Sequence, residues 1–99
     1  MKIKGKEYKL YYTNRSLINI EEQTGGTPFL SLLKDKEKMS SMRTISVLIW
    51  AGINNPEITV DDVIDNLNPK EYEAIFKEVE TAFINSFNTG EKKKNWLKR

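Results

Sequence analysis

Residues 40–53 read Ser40-Ser41-Met42-Arg43-Thr44-Ile45-Ser46-Val47-Leu48-Ile49-Trp50-Ala51-Gly52-Ile53, SSMRTISVLIWAGI. This stretch decides the fold. Ser40 or Ser41 suits an N-cap, and Gly52 suits the left-handed position just past a helix end. Met42, Ile45, Leu48, Ile49 and Ile53 fall on one helical face, while Val47, Trp50 and Ala51 fall on other sides. Only Arg43, Thr44 and Ser46 are polar, and they sit near the start. A helix apolar nearly all round belongs in the middle of a domain. It holds no catalytic constellation.

Ninety-nine residues suit one domain with a modest core, and a hydrophobic share of 38% with ten aromatic residues can fill it. No run of about 18 apolar residues occurs, so no transmembrane helix and no membrane partner are expected. The N-terminal MKIKGKEYKLYY lacks the apolar core of a signal peptide. The chain has no Cys and no His. That removes disulfides, thiolate zinc sites, the commonest general base and the commonest transition-metal ligand. No cofactor or metal is expected.

The net charge of +2 is unevenly placed. Residues 91–99 carry Lys92, Lys93, Lys94, Lys98 and Arg99 against Glu91, which leaves 11 basic and 13 acidic side chains on residues 1–90. The body is slightly acidic and the positive charge is a tail. Duplex-binding domains carry a basic face on the body itself, so no nucleic acid is expected.

Outward from the central helix, residues 1–12 alternate as a β-hairpin. Gly5-Lys6 suits a two-residue type II′ turn, which sets Ile3 opposite Tyr8, Met1 opposite Leu10 and Lys4 opposite Glu7. Met1, Ile3, Tyr8, Leu10 and Tyr12 then share an apolar face, with Lys2, Lys4, Glu7, Lys9 and Tyr11 on the other. Thr13 or Asn14 caps a helix that Gly25-Gly26 ends, with Leu17, Ile20 and Thr24 inward. Thr27-Pro28 starts another, with Phe29, Leu32 and Leu33 as its stripe. Lys34–Lys38 reads as a solvated loop. Asn54-Asn55-Pro56 breaks the central helix. Thr59 and Asp62 form a capping-box-like start for Val60–Leu67, inward through Val63, Ile64 and Leu67. Asn68-Pro69-Lys70-Glu71 starts a last helix to about Asn88. Its arc is Tyr72, Ile75, Phe76, Val79, Ala82, Phe83, Ser86 and Phe87, with Ile84 projecting outward. The expected fold is mainly α in an α+β order: a small helical domain of about five helices with an N-terminal β-hairpin over 1–90, then a basic, mobile tail over 91–99.

Each polar cluster has a structural explanation. Asp61, Asp62 and Asp65, with Glu57 nearby, suit hard cations by residue type, but acidic residues in a helix's first turn are favoured by the dipole. Glu21-Glu22 point about 100° apart on a helix; a half-buried Glu21 paired with Arg43 or a Lys accounts for it better than catalysis. Thr24-Gly25-Gly26-Thr27 lacks the ending of a phosphate loop and reads as a C-cap followed by an N-cap. Candidate partner-binding residues are Arg43, Val47 and Trp50 on the central helix, Ile84 on the last helix, and Trp96-Leu97 in the tail.

Taken in order, these elements resemble a known family. They are Ile3, Gly5, Tyr8 and Leu10 in the hairpin, then Asn14, Leu17, Ile20, Glu21, Glu22 and Gly25 in a helix with a Glu pair and a Gly stop. A Phe/Leu/Leu helix leads to Leu48-Ile49-Trp50-Ala51-Gly52, then Thr59, Asp61, Asp62, Val63 and the Ala82-Phe83 pair. The pattern is similar to the tail assembly chaperones of long-tailed phages and prophages, including gene-transfer-agent relatives. The resemblance implies a non-enzymatic, self-associating protein of the host bacterial cytoplasm, absent from the mature virion. It would bind the tape measure protein and help recruit tail tube protein subunits. It also makes Glu91-Lys92-Lys93-Lys94-Asn95 intelligible as the product of an A-rich frameshift site. The alternatives are a small nucleic-acid-binding or regulatory module using the tail, and another phage structural protein such as a head–tail connector.

Overall fold

Helix α4, Met42–Ile53, runs through the middle of the protein, and Ile45 to Ile49 and Ala51 to Ile53 are all buried on it. In this computed structural model residues 1–87 are described, apart from the side chains of Leu30 and Leu33. Ser41 caps α4 by accepting from the Thr44 N–H at 3.3 Å. The buried Ser46 hydroxyl donates to the Met42 carbonyl at 2.6 Å, so α4 carries no orphaned polar side chain into the core.

Around α4 lie strands β1 (Lys2–Ile3) and β2 (Lys6–Glu7), helices α1 (Asn14–Gln23), α2 (Phe29–Lys34) and α3 (Lys36–Met39), then α5 (Val60–Asn66) and α6 (Tyr72–Ser86). A 3-10 turn, Pro69–Glu71, leads into α6. The fold is mainly helical: five helices of six residues or more, the single-turn α3, and an N-terminal antiparallel hairpin. The core gathers Ile3, Ile20, Leu32, Ile45, Leu48, Ile49, Val63 and Val79, each at most 1% exposed. Beside it Tyr12, Phe29, Phe83 and Phe87 form an aromatic cluster; Phe29 meets Phe83 edge-on with centroids 4.4 Å apart.

The caps at Thr13 and Thr59 are as expected, whereas Asn68 caps the 3-10 turn and α6 itself starts after Glu71 with no side-chain cap bond. Thr13 forms a capping box with Ser16, and Thr59 one with Asp62. Asn68 accepts from the Lys70 N–H at 3.0 Å.

Several expectations are corrected. The hairpin turns at Lys4-Gly5, both with positive φ (52° and 80°), so the turn is of the I′ kind and not Gly5-Lys6. Lys2 pairs with Glu7 and Ile3 with Lys6. The register is therefore two residues from the expected one. A two-residue slip keeps every side chain on its face, so Ile3, Leu10 and Tyr12 are still buried and Lys2, Lys4, Glu7, Lys9 and Tyr11 still exposed.

Gly52 is helical and does not end α4; Asn54 does, in the left-handed conformation at φ 56°. Thr27 does not cap α2. Its hydroxyl donates to the Thr24 carbonyl while the Thr24 hydroxyl reaches the Ile20 and Thr27 carbonyls, and Pro28 occupies the cap position without a side-chain bond. Residues 34–38 are not all loop: Asp35 accepts from the Lys38 N–H at 3.1 Å and starts α3, which buries Met39. Ile64 is 36% exposed rather than inward, because Val63 already faces α4 from the one short helix. The inward position of Leu33 and the extension of the last helix to Asn88 lie outside the described residues, as does the tail.

Candidate functional site

Helix α6 reaches the surface along one row. Tyr72, Phe76, Glu80 and Ile84 are spaced four residues apart and therefore stack along one face, and Phe87 follows at the helix end. All five are half-buried. The deeper face, Ile75, Val79, Ala82 and Phe83, is buried in the core. A helix packed on one side of a small domain leaves its flank partly bare, and here that flank is apolar apart from Glu80.

At its N-terminal end the row opens into a groove of about 430 Å³ between α3 and α6, lined by Lys36, Met39, Ser40, Tyr72, Glu73, Phe76, Lys77 and Glu80. Met39, Tyr72 and Phe76 supply the apolar surface, and the Tyr72 and Phe76 rings lie 6.4 Å apart. The charged side chains stand around them. Burial raises the Tyr72 phenol above its ordinary value, so it is a neutral hydrogen-bonding group at neutral pH. An apolar floor with a mixed-charge rim takes the stripe of an amphipathic helix or a pair of anchoring side chains.

The sequence-derived candidates are dispersed. Arg43 and Val47 line a polar cavity of about 550 Å³ with Gln23, Thr24, Asp35 and Lys38, and Val47 itself is buried. Trp50 lines a different, smaller cavity with Arg15, Asn19 and Asn55, and its indole N–H donates to the Ile58 carbonyl at 3.0 Å. Arg43, Val47 and Trp50 share one face of α4, but Val47 is buried and adds no exposed surface to it. Ile84 lies on the α6 row. Trp96 and Leu97 lie outside the described residues.

Met39 was hidden because residues 34–38 read as solvated loop; the Asp35 cap three residues before Lys38 was the signal for a helix there. Helical periodicity puts Tyr72 and Phe76 on the inward arc, whereas each is partly open.

The polar clusters serve the fold. Asp62 caps Thr59 N–H at 3.0 Å and pairs with Lys4 Nζ at 3.1 Å. Those two contacts, the backbone bond first, hold its carboxyl below the usual value. Glu21 is exposed and pairs neither with Arg43 nor with any other described cation, contrary to the expected ion pair. Among the described residues no three His, Cys, Asp or Glu side chains are placed to hold a metal ion, and no helix is long and apolar enough to cross a membrane.

Comparison of the chain with protein-family models, curated proteins and solved structures finds no match.

Proposed function

We propose that this protein is a non-enzymatic tail assembly chaperone of a long-tailed phage or prophage. It acts in the host bacterial cytoplasm, binds the tape measure protein, helps bring tail tube subunits to it, and is left out of the finished virion. The element order from hairpin to final helix supports this reading through its resemblance to that family. The observation that carries it is the half-buried row on α6 with its groove at α3: an apolar, helix-length track with a charged border.

The mechanism is reversible masking. A long coiled partner exposes apolar stripes that aggregate when uncovered. Each copy offers three or four half-covered side chains, worth about 1 kcal/mol apiece when covered fully. That falls short of the cost of immobilising one copy, about 4–15 kcal/mol, so a single copy binds weakly. Many copies along one partner, touching each other, hold by avidity and come off as tube subunits replace them.

The test is co-expression of the tape measure protein with and without this chain. The expected outcome is tape measure protein that stays soluble and co-purifies with many copies of the chain. Tape measure protein that is equally soluble alone, and never co-purifies, overturns the proposal. Salt-sensitive DNA binding that vanishes on truncation after Gly90 would put a nucleic-acid module in its place.

A further inference from the structure

Two patches of opposite charge lie next to each other at the hairpin turn. Residues 1–9 hold Lys2, Lys4, Lys6 and Lys9 against Glu7, and residues 57–65 hold Glu57, Asp61, Asp62 and Asp65 with no basic residue. The fold joins the two: Lys4 Nζ pairs with Asp62 at 3.1 Å, and the Lys4 backbone N–H donates to Asn66 Oδ1 at 3.2 Å. That bridge satisfies Lys4 and Asp62. Lys2, Lys6 and Lys9 on one side and Glu57, Asp61 and Asp65 on the other are all exposed, and among the described residues none of the six makes an ion pair.

Neighbouring patches of opposite sign are complementary to themselves. A half-turn about an axis through their boundary lays each on the other, so a second copy turned that way sets basic groups on acidic ones in two symmetric places. A surface of one sign would repel its own copy. Ile64 stands among the acids, within a turn of Asp61 and next to Asp65 on α5, and is 36% exposed. A lysine from the second copy covers such a side chain with its aliphatic stem while its ammonium stays beside the carboxylates. None of these residues lines the α3–α6 groove.

We propose that a second copy of the chain covers this face, in a two-fold symmetric dimer built on the hairpin turn and α5. Lys6 of each copy faces Asp65 of the other, about an axis near the Lys4–Asp62 bridge. Exposed ion pairs contribute little apiece, so the dimer is weak and depends on salt. The α3–α6 groove of each copy stays outside the contact. A partner that engages both grooves of a dimer gains by avidity. That consequence rests on the chaperone reading; the pairing itself does not.

The test is sedimentation equilibrium of the full chain alone, at concentrations up to about 1 mM, in low salt and in about 1 M salt, with circular dichroism as the check of folding. The variants are Lys6→Glu, at an exposed strand position, and Asp65→Lys, in the last turn of α5 where a cation is favoured. The expected result is a monomer–dimer equilibrium at low salt that is lost at high salt. Each variant alone weakens it by about tenfold or more, because one substitution turns two attractions into two repulsions. Mixing the two variants, or combining both substitutions in one chain, restores the dimer. A chain that is monomeric throughout overturns the proposal. So does a dimer indifferent to salt and to both substitutions, or a mixture that fails to recover what each variant lost. Assemblies that grow past the dimer overturn it too, since a two-fold contact closes on itself. No tape measure protein enters the test, so failure here leaves the chaperone reading standing, and failure of that reading leaves this result standing.

Discussion

The hydroxyl end of the Tyr12 ring packs against Gly52, so close that a Cβ there would sit 2.9 Å from Tyr12 Cζ and 3.0 Å from its hydroxyl oxygen. The ring cannot easily move away. Its hydroxyl donates to the Leu48 carbonyl at 2.7 Å, and Phe29 and Phe83 flank it. This contact joins the end of the N-terminal segment to the central helix.

Gly52→Ala should therefore destabilise the protein, although alanine is the better helix former. The overlap costs about 1–3 kcal/mol and the gain in helix propensity is at most about 1 kcal/mol. Urea denaturation measures the balance. A net gain in stability would show that the ring yields freely.

Asn54 ties three segments. Its Nδ2 donates to the Tyr11 carbonyl at 2.7 Å and the Gly52 carbonyl at 3.0 Å, and its Oδ1 accepts from the Ser16 hydroxyl at 2.9 Å. Asn54→Ala loses these bonds and forces a Cβ-bearing residue without local hydrogen bonding to hold φ 56°. The expected cost is about 2–3 kcal/mol. Asn54→Gly keeps the backbone freedom and should cost less. If the two lose equally in denaturation, the left-handed backbone contributes nothing.

Stability should fall at alkaline pH. Burial, and then the charge of Glu78, push the Tyr12 phenol far above its ordinary value. The unfolded chain releases that proton near pH 10, so the contribution is intact below pH 10 and declines as pH rises above it. Tyr12→Phe removes the hydrogen bond, at about 1 kcal/mol, and should flatten the alkaline limb. Melting curves from pH 8 to 11 decide it; a parallel decline in the variant refutes the assignment.

The acid side belongs partly to Asp62. Its lowered carboxyl is an advantage above the unfolded value of about 4 and is lost as pH falls through the lower folded value. Asp62→Asn should shrink the loss between pH 5 and 2 in a thermal melt. Added salt should weaken the Lys4 share and leave the Thr59 share. Thr59→Ala should cost about 1 kcal/mol through the cap.

On the binding face, Ile84→Asp and Phe76→Ser should each weaken capture of the tape measure protein, by about tenfold for 1.4 kcal/mol lost. Ile18→Asp, at an exposed position on α1 away from the row, should not. Trp50 is a poor probe, since its replacement also removes the bond to Ile58. Equal capture by all three variants would move the binding face elsewhere.

Most of the architecture was legible because it rests on local rules. A cap acts within three or four residues, so Thr13, Thr59 and Asn68 could be read directly, and periodicity placed α1, α4 and α6. The misreadings occur where a distant neighbour decides. Gly52 looked like a helix stop, but it is a seat for a ring 40 positions earlier in the chain. Residues 34–38 looked like a charged loop, but they lead into α3, whose Met39 lines the groove with Tyr72 and Phe76 of α6. The flank of α6 could not be divided into buried and open by periodicity, because the boundary depends on how far α3 and the hairpin cover it.

The amino-acid sequence alone determined the helical class, the buried central helix, the hairpin's two faces and three of the caps, since each follows from neighbours within a turn or from strand alternation. Tertiary packing decided the true end of α4, where Asn54 bonds to Tyr11 and Ser16, and the opening of a groove beside Phe76. Those depend on which surfaces meet across the fold, and no local window contains both partners.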